Sequence, residues 1–155
     1  MKVAIGCDNA GTPLLEVVRE VLKERGIEII DFGVESDDPT LYPDVALAVA
    51  EKIANGEAER GVLVCGTGIG MSITANKVPG IRAALVHDTY SAERAQKSNN
   101  AQVITMGARV IGPELAKKIV ETWLDSEFKE GSSTPKVNRM NEIDAQFRAE
   151  RRKEA

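Results

Sequence analysis

Side chains able to do acid–base or nucleophilic chemistry near neutral pH are few in this chain: one histidine, His87, and two cysteines, Cys7 and Cys65, among 155 residues. That inventory excludes four-cysteine and paired cysteine–histidine zinc sites and any multi-bridge disulfide framework. Cys65 opens the run Cys65-Gly66-Thr67-Gly68-Ile69-Gly70, which follows the apolar stretch Val62-Leu63-Val64 and leads into helical spacing. Glycines at such a junction let consecutive amides converge on an anion, and the helix start adds about half a positive charge. The anion is either a phosphate or an oxyanion formed during reaction, which each well-aimed donor stabilises by about 3 kcal/mol. A tight strand-to-helix turn without a ligand is the plain alternative, although three glycines in five residues exceed what one turn requires. A thiol beside a helix start sits in positive potential that favours the thiolate, which suits a general base or a nucleophile. Against that stands the habit of free cysteines to be small buried hydrophobes, and Cys7, with no glycine cradle beside it, reads that way. Asp8 is either a ligand-facing carboxylate or a turn residue. His87 is either a solvated loop residue or an acid/base near its ordinary pKa of about 6.5. Tyr42 either packs on the surface or walls a pocket.

The elements that must position these residues are legible from periodicity. Short β-branched runs at Val3–Gly6, Glu28–Asp31, Gly61–Val64, Arg82–Val86 and Gln102–Thr105 alternate with segments of helical spacing. The first such segment starts at Thr12-Pro13, read as N-cap and first-turn proline, and carries Leu14, Val17, Val18, Val21 and Leu22 on one face until Gly26. Further helices are expected near Pro43–Ala54, Gly70–Lys77, Ser91–Lys97 and Pro113–Leu124. Five strands separated by helices predict an α/β fold, a single domain with a doubly wound, five-stranded parallel sheet of Rossmann-like type over residues 1–155. Lys129 to Pro135 reads as a loop, followed by an extra C-terminal helix marked by Met140, Ile143 and Phe147 that fades into the charged segment Arg148–Ala155. In such a sheet ligands bind outside the carboxyl ends of the strands, where strand order reverses. Cys7-Asp8, Cys65–Gly70, His87-Asp88 and Met106-Gly107 all fall at strand ends on that edge.

Composition narrows the function classes. Twenty basic and twenty-four acidic residues give a net charge of −4, so no whole-chain attraction to nucleic acid or anionic membrane is expected. No apolar run approaches the roughly 20 residues of a membrane span, and Asp8 interrupts any signal-like core. A reducing cytoplasm is the default expectation, with both cysteines free. A dinucleotide site in the glycine loop is disfavoured. Met71 stands where the third motif glycine belongs, Pro79-Gly80 leaves the following helix about two turns, and the loop follows the third strand instead of the first.

The stretches Gly6-Cys7-Asp8-Asn9-Ala10-Gly11, Tyr42-Pro43, Cys65–Gly70, Ala75-Asn76-Lys77-Val78-Pro79-Gly80-Ile81-Arg82-Ala83, Asn99-Asn100-Ala101, Met106-Gly107 and Arg109-Val110-Ile111-Gly112 together form a recognisable pattern. On them the chain resembles the sugar-phosphate isomerases that include type B ribose-5-phosphate isomerase and the galactose-6-phosphate isomerase subunits. The resemblance covers nearly the whole chain. It implies an aldose–ketose isomerase of small phosphorylated sugars that works without metal or cofactor, as a homodimer or dimer of dimers with the site at the subunit interface. In it, the cysteine matching Cys65 is the base that moves a proton between C1 and C2. The loop Gly66, Thr67, Gly68, Ile69 and Gly70 holds the cis-enediolate, with Thr67 positioning substrate. Asp8 and Tyr42 match sugar contacts, and Asn99 matches a contact made across the interface.

Three departures from the family pattern are informative. Asn9 replaces a histidine. Ser98 stands where relatives carry the histidine credited with opening the sugar ring. Ser132, Ser133 and Lys136 stand where relatives carry Arg-His and a later Arg for phosphate recognition. Hydroxyls and a lysine can bind phosphate, but without the bidentate fork of arginine. Either His87 supplies the ring-opening acid, or the substrate needs no opening. A tetrose 4-phosphate, whose O4 is esterified, cannot close a furanose, and the run His87–Ala95 with Ser98-Asn99-Asn100 resembles family members of erythritol breakdown. A tetrulose-4-phosphate/erythrose-4-phosphate isomerase is therefore the alternative substrate reading. A catalytically silent sugar-phosphate or dinucleotide-binding protein is the reading from a different class.

Overall fold

In the computed structural model, which describes residues 1–154, five strands form one all-parallel sheet in the order β2-β1-β3-β5-β4. The strands are β1 (Lys2–Cys7), β2 (Glu28–Phe32), β3 (Arg60–Cys65), β4 (Ala83–Leu85) and β5 (Val103–Gly107). The helices are α1 (Thr12–Glu24), α2 (Tyr42–Ala54), α3 (Ile69–Ala75), α4 (Thr89–Lys97), α5 (Pro113–Leu124) and α6 (Thr134–Glu154). The expected α/β architecture with its extra C-terminal helix is therefore present.

The two faces of the sheet are covered by different helices. Side chains of β1, β3 and β5 alternate between the faces, so Val3, Ile5, Val62, Val64, Ile104 and Met106 pack with α1, α4 and α5, while Ala4, Leu63, Cys65 and Val103 pack with α2 and α3. Central strands buried on both faces explain the near-continuous apolar runs of the sequence; the edge strands β2 and β4 are only partly buried. The helix after β1 covers one face and the helix after β3 covers the other. The carboxyl ends of these adjacent strands thus open a crevice between diverging chains, the position where this sheet type binds ligands.

Several boundaries differ from the sequence expectation. Thr12 is not the N-cap of α1: Gly11 holds that position, and the Thr12 hydroxyl donates to the Val34 carbonyl at 2.8 Å, tying the helix start to the segment after β2. An Ala-like Cβ at Gly11 would lie 2.5 Å from the Val64 carbonyl oxygen, so close backbone approach to β3 selects glycine there. α6 starts at Thr134, inside the expected loop, because Pro135 falls in its first turn, where a missing N–H costs nothing. β4 is shorter than expected and ends before His87.

Candidate active site

Asp8 and Cys65 emerge side by side at the crevice, with the Asp8 N–H donating to the Val64 carbonyl at 3.3 Å. Around them lies an open depression of about 470 Å³, lined by Asp8, Asn9, Tyr42, Cys65, Gly66, Thr67, Ile69 and Gly70 together with Ala10, Ile73 and Arg109. Among the described residues no helix is long and apolar enough to cross a membrane, and no group of acidic, histidine and cysteine side chains could hold a metal ion.

The loop is built by close packing. Gly68 has φ +77°, and a Cβ there would meet the Leu85 side chain at 2.7 Å and the Met106 backbone at 2.8 Å. This left-handed turn bends the chain so that the Gly68 N–H donates to Cys65 Sγ at 3.1 Å. The sulfur sits on the floor of the depression, 4% exposed, and already has a donor to accommodate negative charge. Tyr42 lies against Gly70, where a Cβ would come within 2.3 Å of its ring, so the tyrosine walls the pocket. Thr67 is exposed at the rim, and its Oγ1 accepts from the Ile69 N–H at 3.3 Å.

Asp8 forms a local turn and lines the depression. Its Oδ1 accepts from the N–H groups of Ala10 (3.0 Å) and Gly11 (3.2 Å), a local turn, while the carboxylate still faces the depression. Cys7 is fully buried in the opposite face of the sheet, and burial pushes its thiol up from the ordinary value. His87 does not line the depression. Its Nε2 accepts from the Gly107 N–H at 2.9 Å, and desolvation holds its pKa below the usual histidine value despite the neighbouring Asp88. Asp88 itself caps α4, accepting from the Ser91 N–H at 2.6 Å.

Four expected substrate contacts are not brought to this depression by their own chain. α4 runs away from the carboxyl edge, so Ser98 and Asn99 lie at the other end of the sheet, where the Asn100 carbonyl accepts from Arg82 Nε beside the start of β4 at 2.9 Å. Ser132 and Lys136 follow the segment whose Ser126 carbonyl accepts from Arg60 at the start of β3 at 2.7 Å, and they too belong to that end. At about 3.3 Å per residue, β3 alone separates the two ends by about 17 Å. Sequence reasoning also missed Arg109. Its guanidinium approaches Gly66, with Nη1 3.2 Å from where a Cβ would stand, and it lines the depression without a hydrogen-bond or ion-pair partner among the described side chains. The signal was present, since Arg109 stands two residues beyond the end of β5 on the ligand-binding edge.

Residues 3–140 match the family described as Ribose/Galactose Isomerase. The chain belongs to this family. Among curated relatives of this isomerase family, it is 55% identical over 148 residues to the ribose-5-P isomerase B of Listeria innocua serovar 6a, covering 96% of this chain and 100% of the relative. It is equally 55% identical, over 144 residues, to the D-erythrulose-4-phosphate isomerase of Pectobacterium atrosepticum, covering 90% and 93% of the two chains. Its fold superposes on the ribose-5-phosphate isomerase B of Clostridium thermocellum with a TM-score of 0.91 at 44% identity, covering 95% of this chain and 99% of that one.

Proposed function

We propose that Cys65 is the base of an aldose–ketose isomerisation and that the Gly66–Gly70 amides hold the developing oxyanion. The protein is a sugar-phosphate isomerase, as its family membership and its relatives indicate. The observation that carries the assignment of the base is the Cys65 sulfur on the pocket floor, facing the amide of Gly68 at 3.1 Å. The Cys65 thiolate takes the proton from C2 of the open-chain aldose, and the electron pair moves through C1 onto O1. The resulting cis-enediolate is neutralised by loop amides, each worth about 3 kcal/mol when aimed at the charge. The proton returns to C1, and the O2 proton passes to O1 as the ketose carbonyl forms. Arg109, exposed at the mouth of the depression without a side-chain partner, supplies a bidentate fork for the substrate phosphate, and Asp8 and Tyr42 hold sugar hydroxyls.

The site is completed by a second copy of the chain. Ser98, Asn99, Ser132 and Lys136 cluster at the sheet end remote from their own Cys65, so another subunit must bring its own set over this depression if they contact substrate. Ile69 and Ile73, apolar side chains that line the depression and are exposed, support such a contact. Cys65→Ala is expected to lower kcat about 10³-fold, within the range for losing a general base, while calorimetric binding of substrate persists. A variant with near wild-type turnover overturns the assignment. Absence of isomerisation of any aldose phosphate by the wild type would favour a silent binding protein.

A second reading concerns chain length. Ser98, lacking an imidazole, favours a tetrose 4-phosphate that cannot close a furanose ring, and a relative named for D-erythrulose 4-phosphate is as similar as one named for ribose 5-phosphate. A panel of tetrose, pentose and hexose phosphates decides it: kcat/KM for ribose 5-phosphate equal to or above that for erythrose 4-phosphate rejects the tetrose reading.

A further inference from the structure

The single histidine stands just behind the loop that carries the chemistry, and its hydrogen bond takes the place of a rung in the sheet. Pairing of β4 with β5 ends at Leu85 and Thr105, and one further bond follows, from the Val86 N–H to the Thr105 carbonyl at 3.0 Å. Two residues on, the Gly107 N–H points to the same side of β5, past the end of β4. It donates there to the imidazole, His87 Nε2, at 2.9 Å. Gly107 in turn supports the glycine loop from below. A Cβ at Gly107 would fall 2.6 Å from Thr67 Cα and 2.8 Å from the Gly66 carbonyl oxygen. The next two amides of the same turn, Ala108 and Arg109, donate to the carbonyls of Cys65 (2.9 Å) and Gly66 (3.0 Å). Thr105 Oγ1 donates to the Gly68 carbonyl at 2.8 Å. The end of β5 is thus the bed on which Cys65, Gly66, Thr67 and Gly68 rest, and His87 is its anchor to β4.

We propose that His87 is a positioning residue for the isomerisation, its neutral imidazole holding Gly107, and through Gly107 the oxyanion loop, in working register. Acceptance at Nε2 requires a lone pair there, which fixes the neutral tautomer with the proton on Nδ1. Protonation turns the acceptor into a donor facing another donor, and the anchor is lost. The charged or titratable groups on the elements around the imidazole are Asp88 beside it, the Cys65 thiol at the end of β3 and Arg109 beyond the end of β5. Of these Asp88 favours the imidazolium, and burial outweighs it, so the anchor persists at neutral pH.

The proposal rests on the reading of Cys65–Gly70 as the proton-transfer site, and the tests keep the two apart. His87→Gln places an acceptor that does not titrate near the Nε2 position. It is expected to keep kcat within about threefold at pH 8 and to lose part of the acid limb, so that kcat at pH 5 relative to pH 8 is at least about threefold higher than in wild type. His87→Leu, which removes the acceptor, is expected to lower kcat about tenfold or more with KM little changed, as misplacement of a reacting group does. Because His87 is the only histidine, the ¹⁵N spectrum of the imidazole needs no assignment and should show an unprotonated Nε2 at pH 8. Superimposable pH profiles of wild type and His87→Gln, wild-type kcat in folded His87→Leu, or an Nε2–H tautomer would each overturn the positioning role. If Cys65→Ala retains turnover, the underlying site assignment fails instead, whatever the His87 variants do.

Discussion

At the residue scale, three small differences decide what the loop can do. Gly68→Ala would put a methyl group into the Met106 backbone at a positive φ, a combination that costs about 1–3 kcal/mol. The expected result is a lower urea midpoint and a loss of kcat of at least about tenfold, read by denaturation and by steady-state assay. Arg109→Ala should leave folding unchanged, because the side chain pairs with no other side chain, and raise KM for the phosphorylated substrate about tenfold or more; loss of a charge-assisted bidentate contact is worth about 1.5–3 kcal/mol. His87 also links stability to pH. Its folded pKa lies below the ordinary 6.5, so the unfolded chain binds more protons in the interval between the two values, and stability rises with pH there. The His87 contribution is fully present above about pH 6.5 and is lost as pH falls through the folded value. Thermal melts across pH 5–8 should show a smaller acid-side decline in His87→Gln than in wild type.

Among the elements, the interior of β3 was readable and its start was not. The apolar run Val62-Leu63-Val64 has the composition of a strand buried on both faces, yet the strand begins one residue before the expected Gly61, with Arg60, a cation that is 9% exposed. Its guanidinium stacks over Trp123 at 5.2 Å and donates to the carbonyls of Trp123 and Ser126, both at 2.7 Å. Those two acceptors lie in the last turn of α5 and two residues past its end, so one side chain pins the α5 terminus to the sheet. Burial lowers the Arg60 pKa, but a guanidinium stays charged at any ordinary pH. Arg60→Met keeps volume and strands both carbonyls, and should destabilise the fold by about 2–4 kcal/mol in urea unfolding. The same logic explains the misread start of α1: Thr12 has the residue type of a cap, but its hydroxyl finds a better partner in Val34, a contact made 22 residues away.

For the whole molecule, the distribution of polar residues over the two ends of the sheet predicts complementation. Cys65→Ala and Asn99→Ala damage opposite ends of one chain. If the proposed dimer shares its sites, the two weakly active proteins co-refolded as a 1:1 mixture should recover about a quarter of wild-type activity, because half of random dimers would be mixed and each mixed dimer would hold one intact site. Recovery no greater than the sum of the separate variants would place the whole site within one subunit.

The sequence by itself determined the α/β class, the edge of the sheet on which the candidate site lies, the glycine loop with Cys65 at its head, and the family. The first three follow from local signals: periodicity, the glycines needed for a strand-to-helix turn, and residue types at strand ends; the family follows from the resemblance of whole stretches such as Cys65–Gly70 and Ala75–Ala83. Only the tertiary structure decided which candidates meet. It joined Arg109 to Gly66 and His87 to Gly107, buried Cys7 in the far face, and sent Ser98, Asn99, Ser132 and Lys136 to the remote end. These outcomes depend on strand order and on the direction in which each helix leaves the sheet. Both are properties of long-range packing that no local spacing encodes.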